Sequence, residues 1–151
     1  METRQTGWVI ILAMVVAVLF VSGLALFTKM PGPGQQITLL MIPGLLIPAL
    51  LFYQLTVKVD RENVSIVFGV GIIRRKWKIG TIEKAEAVRN TVMHGWGIHF
   101  SLNTTIYNVS GFDAVELTFR NSKRKVRIGT AEAVKLADSI NRQVNENSHS
   151  H

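Results

Sequence analysis

Two stretches decide how the chain is read: Trp8–Phe27, WVIILAMVVAVLFVSGLALF, and Ile37–Leu55, ITLLMIPGLLIPALLFYQL. Neither carries a charge. The first is polar only at Ser22, the second only at Thr38, Tyr53 and Gln54. About twenty helical residues at 1.5 Å each cover roughly 30 Å, the hydrocarbon thickness of a bilayer. Both stretches read as transmembrane helices, over about 8–28 and 37–55. Between them Pro31-Gly32-Pro33-Gly34 combines restricted and permissive backbone, the chemistry of a tight turn between antiparallel helices. Pro43 and Pro48 each remove a backbone donor and predict a bend in the second helix. Residues 1–55 therefore form a helical hairpin after a short polar lead, Met1 to Gly7.

A cleaved signal peptide is the rival reading. Arg4 could stand as its basic start and Ser22-Gly23-Leu24-Ala25 as its cleavage site. The apolar run is longer than the usual 7–15 residues, and a second apolar stretch follows at once.

Charge is divided unevenly. Residues 1–55 hold two basic and one acidic side chain, residues 56–151 fifteen and nine, out of a total of +7. Arg4 precedes the first helix, Lys58 and Arg61 follow the second, with Arg74 and Arg75 a little further on; Lys29 alone lies between the helices. Basic residues stay on the cytoplasmic side, so both termini and the region after the hairpin are expected there. There is no cysteine, which rules out disulfide and thiol chemistry.

From Thr56 the apolar period becomes two. Val57 and Val59 alternate with Lys58 and Asp60, then Val64, Ile66, Phe68 and Val70 with Ser65, Val67 and Gly69. Ile73, Arg75, Trp77 and Ile79 oppose Arg74, Lys76 and Lys78. Further strands are read at Glu86–Val92, Trp96–Leu102, Thr105–Val109, Val115–Phe119 and Val126–Ile128, with a turn at Asn121-Ser122-Lys123-Arg124. This is the pattern of about seven short antiparallel strands with one apolar face each. Thr130 then offers an N-cap, and Val134, Leu136, Ala137 and Ile140 form the apolar stripe of a helix over 131–143. The expected core is Val115, Leu117, Phe119, Val126, Ile128, Val134 and Ile140. The polar tail 144–151 is expected to be disordered.

The segments Gly95-Trp96-Gly97-Ile98, Ile106-Tyr107-Asn108-Val109-Ser110-Gly111, Asp113-Ala114-Val115-Glu116-Leu117 and Arg127-Ile128-Gly129-Thr130 carry a resemblance. The chain resembles bacterial membrane proteins in which a two-helix hairpin precedes a pleckstrin-homology-like domain. Those sequences often have arginine after the Gly-Ile pair, where this one has His99. The resemblance implies an α+β membrane protein: two transmembrane helices, then a small antiparallel β split barrel at 56–143, capped by a C-terminal helix. It also implies a bacterial membrane, and little about activity, since this fold mostly binds lipids, peptides or proteins.

Two basic groups are the candidate site. Arg74, Lys76 and Lys78 share one face of a strand and could converge on an anion; Lys123, Arg124, Lys125 and Arg127 form a second basic hairpin. Either could attract anionic headgroups, each cation contributing about 1 kcal/mol near the leaflet. A solvated strand edge needs no ligand. No nucleophile elbow, phosphate loop or paired carboxylates point to an enzyme, and no cofactor is implied. His94 and His99 fall on opposite faces of a strand and lack further metal ligands. Nucleic acid would need stacking aromatics among the basic residues, and these are missing. The reading is a membrane-anchored, non-enzymatic module that docks a protein partner or a second copy; the alternatives are binding of anionic lipid by its basic strands and an enzyme with an unrecognised site.

Overall fold

The computed structural model describes residues 1–28, 33–91 and 97–148. The predicted interhelical turn falls mostly outside them, as do Val92, His94, Gly95, Trp96 and the last three residues. The chain is α+β: two helices near its start, two β-sheets, and a C-terminal helix.

The predicted polar lead is a strand. β1 (Glu2–Thr6) precedes α1 (Trp8–Thr28) and α2 (Pro33–Phe52), and the chain then returns as β2 (Gln54–Val59). β1 and β2 pair antiparallel, from Glu2↔Lys58 to Thr6↔Gln54. The helices are thus inserted into what would otherwise be a β-hairpin. At its base Gly7 donates its N–H to the Tyr53 carbonyl at 2.7 Å. Thr3 and Gln5 face inward, which is why a segment with little apolar content is still ordered. The N-terminal ammonium donates to the Val59 carbonyl at 2.8 Å, and Gln5 Nε2 to the Ser110 carbonyl at 2.6 Å.

α1 is long and apolar enough to cross a membrane; none of its described residues is fully buried, and Ile10 near its start packs against the core. α2 runs through Pro43 and Pro48 as one helix, but its apolar part is the shorter Leu40–Phe52. The second helix also stops earlier than expected. Leu55 is fully buried in the β core, not in the hairpin.

The first sheet has the order β1-β2-β3-β4, with β3 at Asn63–Phe68 and β4 at Ile73–Lys78. A single 3₁₀ turn, Ile79–Thr81, leads into the second sheet. Its strands are β5 (Ile82–Arg89), β6 (Gly97–Ser101), β7 (Thr104–Asn108), β8 (Asp113–Phe119) and β9 (Ser122–Gly129), in the order β5-β8-β9-β7-β6. Not all the strands are antiparallel as expected: β7 and β9 run parallel, Thr104↔Lys125 to Tyr107↔Ile128. The alternation of apolar side chains reports which face is buried but not the direction of the neighbour.

One apolar core joins both sheets and the last helix. Val57, Ile66 and Phe68 come from the first sheet, Val115, Leu117 and Ile128 from the second, and Leu136 and Ile140 from α3 (Ala133–Ser148). The Thr130 hydroxyl accepts the Glu132 N–H at 3.2 Å, closing a turn before the helix; the first helical carbonyl is that of Glu132, accepting from Leu136 at 2.9 Å, so the cap lies two residues later than expected. α3 covers the outer edge of β5. Asn141 accepts the Ala85 N–H through Oδ1 and donates to the Ala85 carbonyl through Nδ2, both at 2.8 Å. One amide side chain replaces a missing ladder partner and closes an edge that could pair with other chains.

α3 departs from the predicted helix at both ends. Val134 is 64 % exposed, and the inward stripe is Ala133, Leu136, Ala137, Ile140 and Val144. The helix continues to Ser148, so most of the expected disordered tail is ordered. Val144 is buried, Asn147 donates to the Arg61 carbonyl at 2.8 Å, and Arg120 donates to Ser148 Oγ at 3.1 Å. Phe119 is partly buried, less than a core position.

Candidate functional site

The two sheets share a core but no backbone ladder connects β4 to the second sheet. Along that seam the contact is made by side chains. Trp77 on β4 and Tyr107 on β7 meet edge to face, centroids 5.8 Å apart. Tyr107 also touches Phe68 at 6.1 Å, and Phe68 meets Phe52 of α2 at 5.6 Å. Aromatic rings thus run from the end of the hairpin to the seam. Their edges and faces pack through opposite quadrupole poles, which favours such tilted geometry over stacking.

The seam opens into a cleft of about 480 Å³. Trp77, Tyr107 and Phe119 supply apolar surface. Arg75, Arg120, Arg124 and Lys125 supply positive charge, and no acidic side chain lines the cleft. Strand parity explains the mixture. Arg75 and Trp77 are two apart on β4, as are Thr105 and Tyr107 on β7 and Arg124 and Val126 on β9, so each pair shares a face. Arg75 stands opposite the buried Ile66, yet it lies on an edge strand where the sheets part.

The predicted basic residues divide unequally over this site. Arg124 and Lys125 line it; Arg74, Lys76, Lys78, Lys123 and Arg127 do not. Arg74 folds back to donate to the Gly71 carbonyl at 2.5 Å, near the hairpin. Lys76 is on the outer face of β4, opposite Ser65. Lys78 lines a separate shallow depression with Glu62 and Asn147. The predicted turn at 121–124 is tighter, because β9 already begins at Ser122. A bulge between Thr118 and Phe119 shifts the pairing to Phe119↔Ser122.

Lys125 and Arg127 are engaged within the protein. Both reach the side chain of Glu116, at 2.6 and 2.7 Å, and that side chain is only 6 % exposed. Burial pushes the Glu116 carboxyl up, but the hydrogen bonds from Lys125 and Arg127 outweigh it and hold the group below the usual carboxylate range. A carboxylate so placed offsets much of the pair's charge toward any outside anion. Arg120 is also committed, to the Ile82 carbonyl at 3.3 Å and to Ser148. Arg75 and Arg124 are the cleft cations best placed to meet a ligand.

The register also sets height above the hairpin. Gly129 lies beside Gln5, close to the base of the helices. Arg124 is five residues back along β9, about 17 Å at the usual strand rise. Arg124 therefore lies toward the end of β9 away from α1 and α2, while Tyr107, opposite Ile128, lies near the Gly129 end of the cleft.

Sequence reading passed over Arg75, Tyr107, Phe119 and Arg120. The signal for Arg75 was present, since the period-two pattern already placed it with Trp77. Nothing local in the sequence brings β4 against β7. Among the described residues no cluster of His, Asp or Glu is arranged to hold a metal ion; His94 lies outside them. No protein-family model, characterised protein or solved structure matches the chain.

Proposed function

We propose that this protein is a non-enzymatic, membrane-anchored interaction module. Its pleckstrin-homology-like β domain docks an acidic segment of a protein partner in the cleft between β4 and β9. Both helices cross the bilayer in this reading. The hydrogen bond between Gly7 and Tyr53 supports it: if α1 crosses, the chain must cross back before Tyr53. α2 has no charged residue over its whole length, Pro33–Phe52, which favours that return. Cleavage near Ala25 would discard an ordered strand, which disfavours a signal peptide. The charge asymmetry favours the cytoplasmic face of the membrane for the domain, and the resemblance favours a bacterial one.

The observation that carries the choice of partner is the position of Arg124 in the cleft. Headgroup attraction falls off within a Debye length, about 8 Å at physiological salt. Arg124 lies beyond that distance from the base of the hairpin, so a soluble acidic ligand is favoured over the lipids around the helices. Aromatic floor and arginine rim are also the composition that concentrates binding energy in protein interfaces.

The test is photo-crosslinking in cells, from a reactive residue at Asn121 on the cleft rim and from another at Ser65 on the outer face. The reading requires a protein adduct from Asn121 that is lost in the double variant Arg75→Glu, Arg124→Glu while the fold persists. Equal adducts from both positions, or lipid adducts alone, would reject it in favour of headgroup binding.

A further inference from the structure

We infer that the turn joining β3 to β4 is a second membrane contact, a wedge that enters the interfacial layer of the same bilayer. The inference rests on the membrane-anchored reading above and adds to it. The turn, residues 69–72, does not sit out in solvent above the sheet. It lies against the last turn of α2: Val70 N–H points at the Leu50 carbonyl at 3.4 Å, and a Cβ on Gly69 would meet the Leu51 carbonyl at 2.6 Å. The Leu50 carbonyl points toward the C-terminal end of α2, and Gly69 N–H also donates to the Gln54 carbonyl at 2.8 Å, so the turn lies level with the base of the helices.

There it presents two exposed apolar side chains. Ile72 is 74 % exposed and Val70 is 55 % exposed. Gly69 and Gly71 have positive φ, at 45° and 89°, which allows so tight a reversal beside a helix. Arg74 is folded onto the Gly71 carbonyl, placing its guanidinium beside the turn. Aliphatic tips at the acyl boundary with a cation one step above are the arrangement that binds a bilayer interface. The exposed surface is continuous with that of α2, so lipid is its occupant. Such a contact would fix the tilt of the domain.

Depth-dependent quenching tests this on the full chain, reconstituted in phosphatidylcholine vesicles containing some phosphatidylglycerol. The chain has no cysteine, so single cysteines can carry an environment-sensitive fluorophore. The variants are Ile72→Cys, Leu102→Cys in the distal β6–β7 turn, and Leu19→Cys in α1. The Ile72 label should be blue-shifted and lose fluorescence to nitroxides near the top of the acyl chain, the Leu102 label should not, and the Leu19 label should respond to deep nitroxides. An Ile72 label that behaves like the Leu102 label, with Leu19 quenched, overturns the wedge and leaves the membrane anchor standing. An unquenched Leu19 label overturns both.

Discussion

The Gly7 N–H and the Tyr53 carbonyl meet at 2.7 Å, so the chain leaves the first sheet and returns to it at one point. Everything between is an insertion in the β1–β2 ladder. The β domain accordingly draws on both sides of the hairpin, with residues 2–6 contributing one strand and residues 54–129 the rest.

A soluble form follows from that arrangement. Thr6 and Gln54 are paired neighbours, so replacing residues 7–53 by Asn-Gly supplies a two-residue turn of the type that suits the strand twist. This variant is expected to be soluble and to unfold cooperatively in urea. Residues 56–143 alone lack β1, Leu55 and Val144, and should have a lower urea midpoint or fail to fold. Equal midpoints would show that β1 adds nothing.

Glu116 makes a pH prediction. Its folded pKa is lowered by Lys125 and Arg127, so its contribution to stability is present above the unfolded value and lost as pH falls through the folded one. In the Asn-Gly form, the urea midpoint should fall as pH drops below about 4.5. Glu116→Gln should flatten that part of the profile and lower the midpoint at neutral pH. An unchanged profile would mean that the two cations do not hold the carboxylate in solution.

α3 provides a paired test of packing. Ile140 is fully buried and Val134 is 64 % exposed. Ile140→Ala should cost about 2–5 kcal/mol by urea unfolding, and Val134→Ala less than about 0.5 kcal/mol. Similar losses at both positions would show that the helix is rotated.

Local pattern accounts for what was legible. Uncharged runs marked the two helices, and period-two alternation marked most strands, because each depends on neighbours in sequence. The boundary at Leu55 was misread because a leucine serves a membrane helix and a β core equally well. β1 was missed because its inward residues are Thr3 and Gln5, which signal burial only through the partners they meet. The basic residues were visible, but their roles were not. Lys125 and Arg127 meet Glu116 across the local β8–β9 hairpin, whereas which cations line the cleft depends on β4, β7 and β9 meeting, and these are distant in sequence. Val134 sat on a plausible helical stripe because the boundaries of a short helix set its phase.

The most direct measurement of the central claim is labelling of single cysteines on intact cells with a membrane-impermeant reagent. Gln36 lies at the far end of the hairpin, and Leu102 lies at the far end of the β domain and is fully exposed. The account predicts that Gln36→Cys is labelled from outside, and that Leu102→Cys is labelled only after the membrane is opened. Labelling of Leu102→Cys on intact cells, with Gln36→Cys protected, would contradict it.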